Sequence, residues 1–258
     1  STVRARAVGI LMENKDITVW FSCGAASAVA AKKTIELYGK HNRIKVVNNP
    51  IKEEHKDNQR FLKDVESWLG VDIEHAINPK FPDQSCETVW RERKYMAGNF
   101  GAPCTTHLKK NARQVWEIKN HTDFIVLGFT AEEEKRAIRF QENQKQKLLS
   151  VLIDENITKQ ACFDILLQAG IKLPEIYSFG YPNANCIGCV KASSPTYWNL
   201  VRKTFPKVFE DRVRLSEELG AKLVRYKGKR IKLKELPVDA KGRDLKEYNF
   251  ECGIFCIK

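Results

Sequence analysis

Ile17-Thr-Val-Trp-Phe-Ser-Cys-Gly-Ala-Ala-Ser-Ala-Val-Ala-Ala-Lys-Lys33 is the stretch that decides the fold. Its first five residues are β-branched or aromatic and predict a buried strand. Ser22, Cys23, Gly24, Ala25, Ala26 and Ser27 are all small, and the alanine-rich run to Leu37 predicts a helix behind them. A strand that turns through small residues into a helix offers backbone N–H groups and the positive end of a dipole to an anion. The spacing fits a phosphate cradle and fits equally a plain turn kept small for packing. It is neither a GxGxxG fingerprint nor a Walker A loop, having one glycine and no Gly-Lys-Ser/Thr ending.

The same alternation continues outward. Ile44–Val47 predicts a second strand ending in Asn48 and Asn49, Val71–His75 a third, and Phe124–Leu127 a fourth that breaks at Gly128, Phe129 and Thr130. Leu148–Ile153 predicts a further strand. Helical patterns fall between them over 53–69, 86–96, 131–141 and 158–169, with another capped by Thr105 or Thr106 and carrying Leu108, Val115 and Trp116. Strands alternating with amphipathic helices imply a doubly wound α/β fold with a mainly parallel sheet covered on both faces. Ligands in such sheets sit beyond the carboxyl ends of the strands. Ser22–Ser27, Asn48, Asn49, Gly128 and Phe129 all fall there, which predicts a shared nucleotide crevice.

After Gly170 the pattern changes to loop residues, a Cys-x-x-Cys pair, two helical stretches (194–204 and 206–219) and a basic hairpin. The predicted organisation is a nucleotide-binding domain over 1–180 and a cysteine-bearing extension of helices and hairpin over 181–258. No apolar run approaches a membrane span, and the first residues lack a signal-peptide core, so a soluble cytoplasmic protein is expected, with no membrane partner.

The net charge of +12 favours a polyanionic partner. Lys222–Lys234 holds seven basic residues and no acid. Alternation around Gly228 predicts a hairpin whose Arg225, Lys227, Lys229 and Arg230 contact RNA or DNA, or else protect a solvated edge.

Eight cysteines in a chain read as cytoplasmic argue for metal or redox use of some of them. Cys186 and Cys189 are spaced to bind one tetrahedral metal or one cluster, with a redox pair or a structural turn as the rival. Cys252 and Cys256 form a second close pair, and Cys104 lies in a Gly/Pro loop. Cys86 and Cys162 fall within helical patterns and read as fillers.

Several segments together resemble the phosphoadenosine-phosphosulfate reductase family, within the adenine nucleotide α-hydrolase-like (PP-loop) superfamily. Phe21-Ser-Cys-Gly-Ala-Ala-Ser27 resembles the modified Ser-Gly-Gly-x-Asp-Ser loop. Leu148–Asp154 resembles the family's Pro-Leu-hydrophobic-Asp segment. Gly180-Tyr-Pro-Asn-Ala-Asn-Cys-Ile-Gly-Cys189 resembles the Gly-Tyr-Pro…Cys-x-x-Cys of the iron–sulfur adenylyl-sulfate reductases. Cys104–Lys110 resembles their Cys-Cys-x-x-Arg-Lys segment, and Glu251-Cys-Gly-Ile254 their C-terminal tail, whose cysteine attacks sulfur. The whole pattern most closely resembles the reductase-like proteins of phages and mobile elements.

The resemblance implies an adenine nucleotide held by Ser22–Ser27 with Asn48, Asn49, Gly128, Phe129 and Arg136. It implies a [4Fe–4S] cluster on Cys104, Cys186, Cys189 and a tail cysteine, Cys256 or Cys252, with zinc on Cys186, Cys189, Cys252 and Cys256 as the alternative. Cys252 is the nucleophile if the tail keeps its role. The chain departs from the family at Ala26, where ATP-pyrophosphatase members carry aspartate, at Thr105, in place of a second cysteine, and at Phe255, in place of a histidine. The segment Gly128–Arg136 also lacks the arginine-rich start that binds sulfate. The functional expectation is therefore an enzyme of sulfur chemistry, reducing a sulfonucleotide or thiolating a nucleic acid, with oxidoreductase or ATP α-hydrolase chemistry. The alternative is a nucleotide-binding or nucleotide-hydrolysing accessory protein of a nucleic-acid complex. A homo-oligomer is compatible with either.

Overall fold

The computed structural model describes residues 12–99, 101–245 and 254–255. In chain order its elements are β1 (Asp16–Phe21), α1 (Ala25–Tyr38), β2 (Arg43–Asn48), α2 (Asn58–Leu69), β3 (Ile73–His75) and α3 (Cys86–Arg93). A π-helical segment (Thr105–Lys110) leads into α4 (Asn111–Lys119), followed by β4 (Phe124–Val126), α5 (Glu134–Glu142), β5 (Lys147–Leu149), α6 (Val151–Asp154) and α7 (Lys159–Gln168). The chain closes with α8 (Pro195–Thr204), α9 (Pro206–Glu218), β6 (Val224–Tyr226) and β7 (Lys229–Ile231).

These elements form two compact, interleaved units. The first comprises 12–49, Lys56–Ala76 and Val115–Glu175, and the second Pro50–His55, Ile77–Gln114 and the chain from Ile176. A linear division at residue 180 therefore misses Pro50–His55 and Ile77–Gln114, excursions from the sheet that contribute to the second unit. Composition reports changes along the chain, and an excursion that returns to the sheet leaves no such change.

The first unit is a five-stranded sheet in the order β3-β2-β1-β4-β5, with every pair parallel. Ile17 to Phe21 are all buried, as a strand covered on both faces requires. Val19 lies opposite Val46 on one side and Val126 on the other. Ala28, Ala30 and Ala31 of α1 are fully buried, so its backbone packs closely against β1 and α7. Strand order reverses between β1 and β4. In such sheets ligands usually sit beyond the carboxyl ends of the strands at that switch point.

One local expectation is corrected. Leu148–Ile153 is a three-residue strand followed by a helical turn, with Asp154 N donating to Ser150 O at 2.9 Å. A short apolar run has no periodicity that separates a strand from a buried helix.

The second unit is built on a core that includes Trp90, Leu108, Tyr197, Trp198 and Phe209. Its α8 and α9 each start with proline at the first helical position, where no N–H is needed. β6 and β7 pair antiparallel, Arg225 opposite Arg230 and Tyr226 opposite Lys229. Lys227 and Gly228 both have positive φ (47° and 77°), as a two-residue hairpin turn requires.

Candidate functional site: a phosphate-type loop and a four-thiol centre

In the first unit, the loop from Ser22 to Ser27 is closed by one hydroxyl. Ser27 Oγ accepts from Ser22 N at 3.1 Å and donates to the Gly24 carbonyl at 2.9 Å. Cys23 has φ +56°, the left-handed region that glycine fills at low cost. Its sulfur lies 3.5 Å from Asn48 Nδ2, which also donates to Phe21 O at 2.8 Å. Asn48 thereby ties the ends of β1 and β2 together, while Asn49 Nδ2 donates to Ala76 O at 2.9 Å.

Gly128, just past β4, faces the same loop so closely that a Cβ would sit 2.7 Å from Ser27 N. Ser22–Ser27, Asn48 and Gly128 thus gather at the switch point. Phe129 is buried, and the Arg136 guanidinium lies over its ring at 4.9 Å while ion-paired to Glu133. Glu133 Oε2 also accepts from Thr130 N at 3.1 Å and Thr130 Oγ1 at 3.2 Å. The chain's own carboxylate therefore takes donors at the start of the helix after β4, where an anionic ligand group would otherwise find them.

In the second unit four thiols line one cavity: Cys86, Cys104, Cys186 and Cys189, with Ile51, Trp90, Lys109 and Val190. All four are buried and free of disulfides. Cys86, expected as a filler, stands among the other three cysteines. It opens α3 and faces both Cys104 and Cys186, contacts that push its own pKa well up, with burial adding to the rise. The missed signal is the spacing of Cys86 and Trp90, four residues apart on one helix face. Cys256 and the proposed nucleophile Cys252 lie outside the described residues.

Each thiol is held by identifiable contacts. Glu53 Oε2 accepts from Cys86 N at 2.8 Å, and Oε1 accepts from Ser85 Oγ at 2.7 Å and Glu87 N at 3.2 Å, so one carboxylate fixes the start of α3. The Glu53 carbonyl also accepts from Ile187 N at 2.9 Å, tying the Cys-x-x-Cys loop to the same residue. Tyr197 Oη accepts from Cys189 N at 2.8 Å and donates to Cys186 O at 3.3 Å; burial raises its pKa, so the phenol stays protonated. Gly188 has φ +66°, and a Cβ there would press on Val208 and Arg212. Arg212 Nε donates to Gly188 O at 3.1 Å.

Cys104 begins the π-helical segment, and neither Thr105 nor Thr106 caps it, contrary to expectation. Hydrogen bonds in a π-helix span five residues, so Lys109 comes round onto the Cys104 face, where an α-helix would turn it aside. The Cys104 thiol is pulled down to about 7, chiefly by its hydrogen bond with Cys86. The Trp90 indole and the Lys109 ammonium add to this effect against the opposing pull of burial.

Four buried thiols with no carboxylate or imidazole among the lining residues fit a soft metal centre. Tetrahedral zinc, with Zn–S near 2.3 Å, holds its sulfurs about 3.8 Å apart. Among the described residues, one set of three donors lies within 4.8 Å of one another, and it is Asp16, His121 and Asp123. No three of the four sulfurs meet that spacing, although Cys86 faces both Cys104 and Cys186. The Asp16 set is already satisfied: Arg43 grips Asp16 at 2.7 and 2.9 Å, and Asp123 accepts from Asp16 N at 2.9 Å.

On the hairpin, Arg225, Lys227, Lys229 and Arg230 are exposed. Among the described residues none of them is in an ion pair, whereas Lys232 and Lys234 pair with Glu217. Arg230 Nη1 donates to Leu223 O at 2.9 Å.

The sheet order defines a doubly wound α/β fold of the kind seen in phosphoadenylyl-sulfate reductase. Among solved structures, the chain resembles phosphoadenylyl-sulfate (PAPS) reductase from Candida auris in a phosphate complex, with TM-score 0.50 and 8% identity over 72% of this chain and 88% of that one. It is also similar to the U34-tRNA thiolase NcsA from Methanococcus maripaludis with its [4Fe-4S] cluster, at TM-score 0.47 and 12% identity, covering 85% of this chain and 78% of that one. No protein family and no curated protein matches the chain by sequence. No helix among the described residues is long and apolar enough to cross a membrane.

Proposed function

We propose that this protein is an enzyme of sulfur chemistry that binds an adenine nucleotide on its first unit and an iron–sulfur cluster on its second. The observation that carries the reading is the convergence of Cys86, Cys104, Cys186 and Cys189 on one apolar cavity. In this reading Cys86 takes the place that the resemblance assigns to a tail cysteine, and it offsets the threonine at position 105. When bound, such a cluster supplies either electrons or a coordination site for a sulfur atom. The protein's own contribution is to hold the four thiols through Glu53, Tyr197 and Gly188 and to set positive charge beside them through Lys109. On the first unit, the backbone N–H groups of Ser22–Ser27 take the nucleotide phosphates, and Asn48 shapes the loop that presents them. Cys252, as in the reductase tail, is the proposed nucleophile.

Reductive cleavage of a sulfonucleotide and thiolation of a nucleic acid both fit this division of labour. The engagement of Arg136 and Thr130 with Glu133 disfavours a sulfate site there, and the unpaired basic hairpin favours a nucleic-acid substrate. An accessory nucleotide-binding protein without redox chemistry is the second reading, favoured by the same Glu133 contacts. Anaerobic purification with iron and sulfide analysis, together with calorimetric titration of ATP and ADP, separates them. About four iron atoms per chain and saturable nucleotide binding support the enzyme. Nucleotide binding by an iron-free protein that reconstitution cannot load supports the accessory role.

A further inference from the structure

We propose that the indole N–H of Trp90 donates a hydrogen bond to a sulfur of the centre held by Cys86, Cys104, Cys186 and Cys189, and so raises its reduction potential. This rests on the four-thiol reading above.

Trp90 is 2% exposed, and its Nε1 is buried without a hydrogen-bond partner among the protein's own groups. The indole nitrogen is donor-only, and a buried donor ordinarily finds an acceptor. The walls of the cavity limit what that acceptor is. Ile51 and Val190 present hydrocarbon, Lys109 carries another donor, and the remaining lining residues are the four cysteines. A neutral thiol is a weak acceptor. A metal-bound thiolate or sulfide carries negative charge and accepts readily.

Helix geometry directs the donor into the cavity. Trp90 follows Cys86 by four residues on α3, so both side chains project from one face. Arg212 lies over the indole ring at 4.8 Å and is itself anchored to the Gly188 carbonyl, which fixes the ring against the Cys-x-x-Cys turn.

Hydrogen bonds to cluster sulfurs stabilise the more negative, reduced state and shift the potential upward. Removing this one lowers the potential while leaving all four ligands in place. The experiment compares wild-type protein with Trp90→Phe, both loaded anaerobically with iron and sulfide. The expected result is equal iron content with a more negative midpoint potential in the variant. Equal content with the same potential overturns the inference. A wild-type protein that takes up no iron overturns the four-thiol reading itself, and this inference with it.

Because Trp90 is among the largest fully buried side chains, a second measurement uses the wild-type protein alone. Protein grown on indole-15N tryptophan is reduced and read by pulsed electron paramagnetic resonance. A 15N coupling to the cluster spin supports the N–H···S bond, and its absence overturns it.

Discussion

Replacing Gly128 by alanine tests the nucleotide loop through the backbone. A Cβ built at Gly128 lies 2.7 Å from Ser27 N and 3.0 Å from both Ala26 C and Ser27 Cα. All three are main-chain atoms at the start of α1, so no side chain can swing away to make room. Either the loop or the end of β4 must shift by several tenths of an ångström. Overpacking of this kind costs about 1–3 kcal/mol. The narrower conformational freedom of alanine in the unfolded chain returns about 0.4–1 kcal/mol where the backbone fits it.

A net loss of about 1–2 kcal/mol is expected, equivalent to roughly 2–8 °C in Tm for a protein of this size. The displaced group is Ser27 N, one of the proposed phosphate donors, so on that proposal nucleotide affinity should fall about tenfold, or ~1.4 kcal/mol. Thermal unfolding and calorimetric titration of ATP and ADP read the two effects separately. An unchanged Tm would refute the close approach of Gly128 to the loop. A lowered Tm with unchanged affinity would keep the packing argument and remove the nucleotide from Ser22–Ser27.

Other consequences follow for the second unit and the hairpin. Serine at Cys86, Cys104, Cys186 or Cys189 should each lower iron content severalfold in anaerobically prepared protein, whereas Cys162→Ser on α7 should not; full occupancy in Cys86→Ser would return the fourth position to the tail. In metal-free protein, Cys104 should show thiolate absorbance rising through a midpoint of about 7. Lys109→Met removes a positive charge that favours the thiolate, so that midpoint should move up; a downward or absent shift would contradict the facing of Lys109 and Cys104. If the hairpin binds RNA or DNA, Arg225→Gln with Lys229→Gln should reduce the log–log salt slope of affinity by roughly two, each lost phosphate contact withholding about one counterion release. Absence of any binding in low salt would leave the four basic residues as edge protection.

The sequence by itself determined the elements and their order along the chain. Ile17–Phe21 is buried wherever a five-residue β-branched and aromatic run goes, and Cys186 and Cys189 are neighbours by covalent spacing alone. Lys227-Gly228 between alternating residues specifies a hairpin through local turn chemistry. The Ser22–Ser27 loop was legible for the same reason, because strand, small-residue turn and helix are contiguous. Tertiary structure decided what depends on contacts between distant segments. Nothing near Cys86 in the chain marks it as a partner of Cys104 and Cys186. That contact arises because Glu53, on a segment that leaves the sheet after β2, anchors both α3 and the Cys-x-x-Cys loop. The turn of Lys109 toward Cys104 depends on a π-helical register that helical periodicity does not encode. Periodicity and turn chemistry fix the local backbone, while the meeting of side chains from separate segments is fixed only when the cores pack.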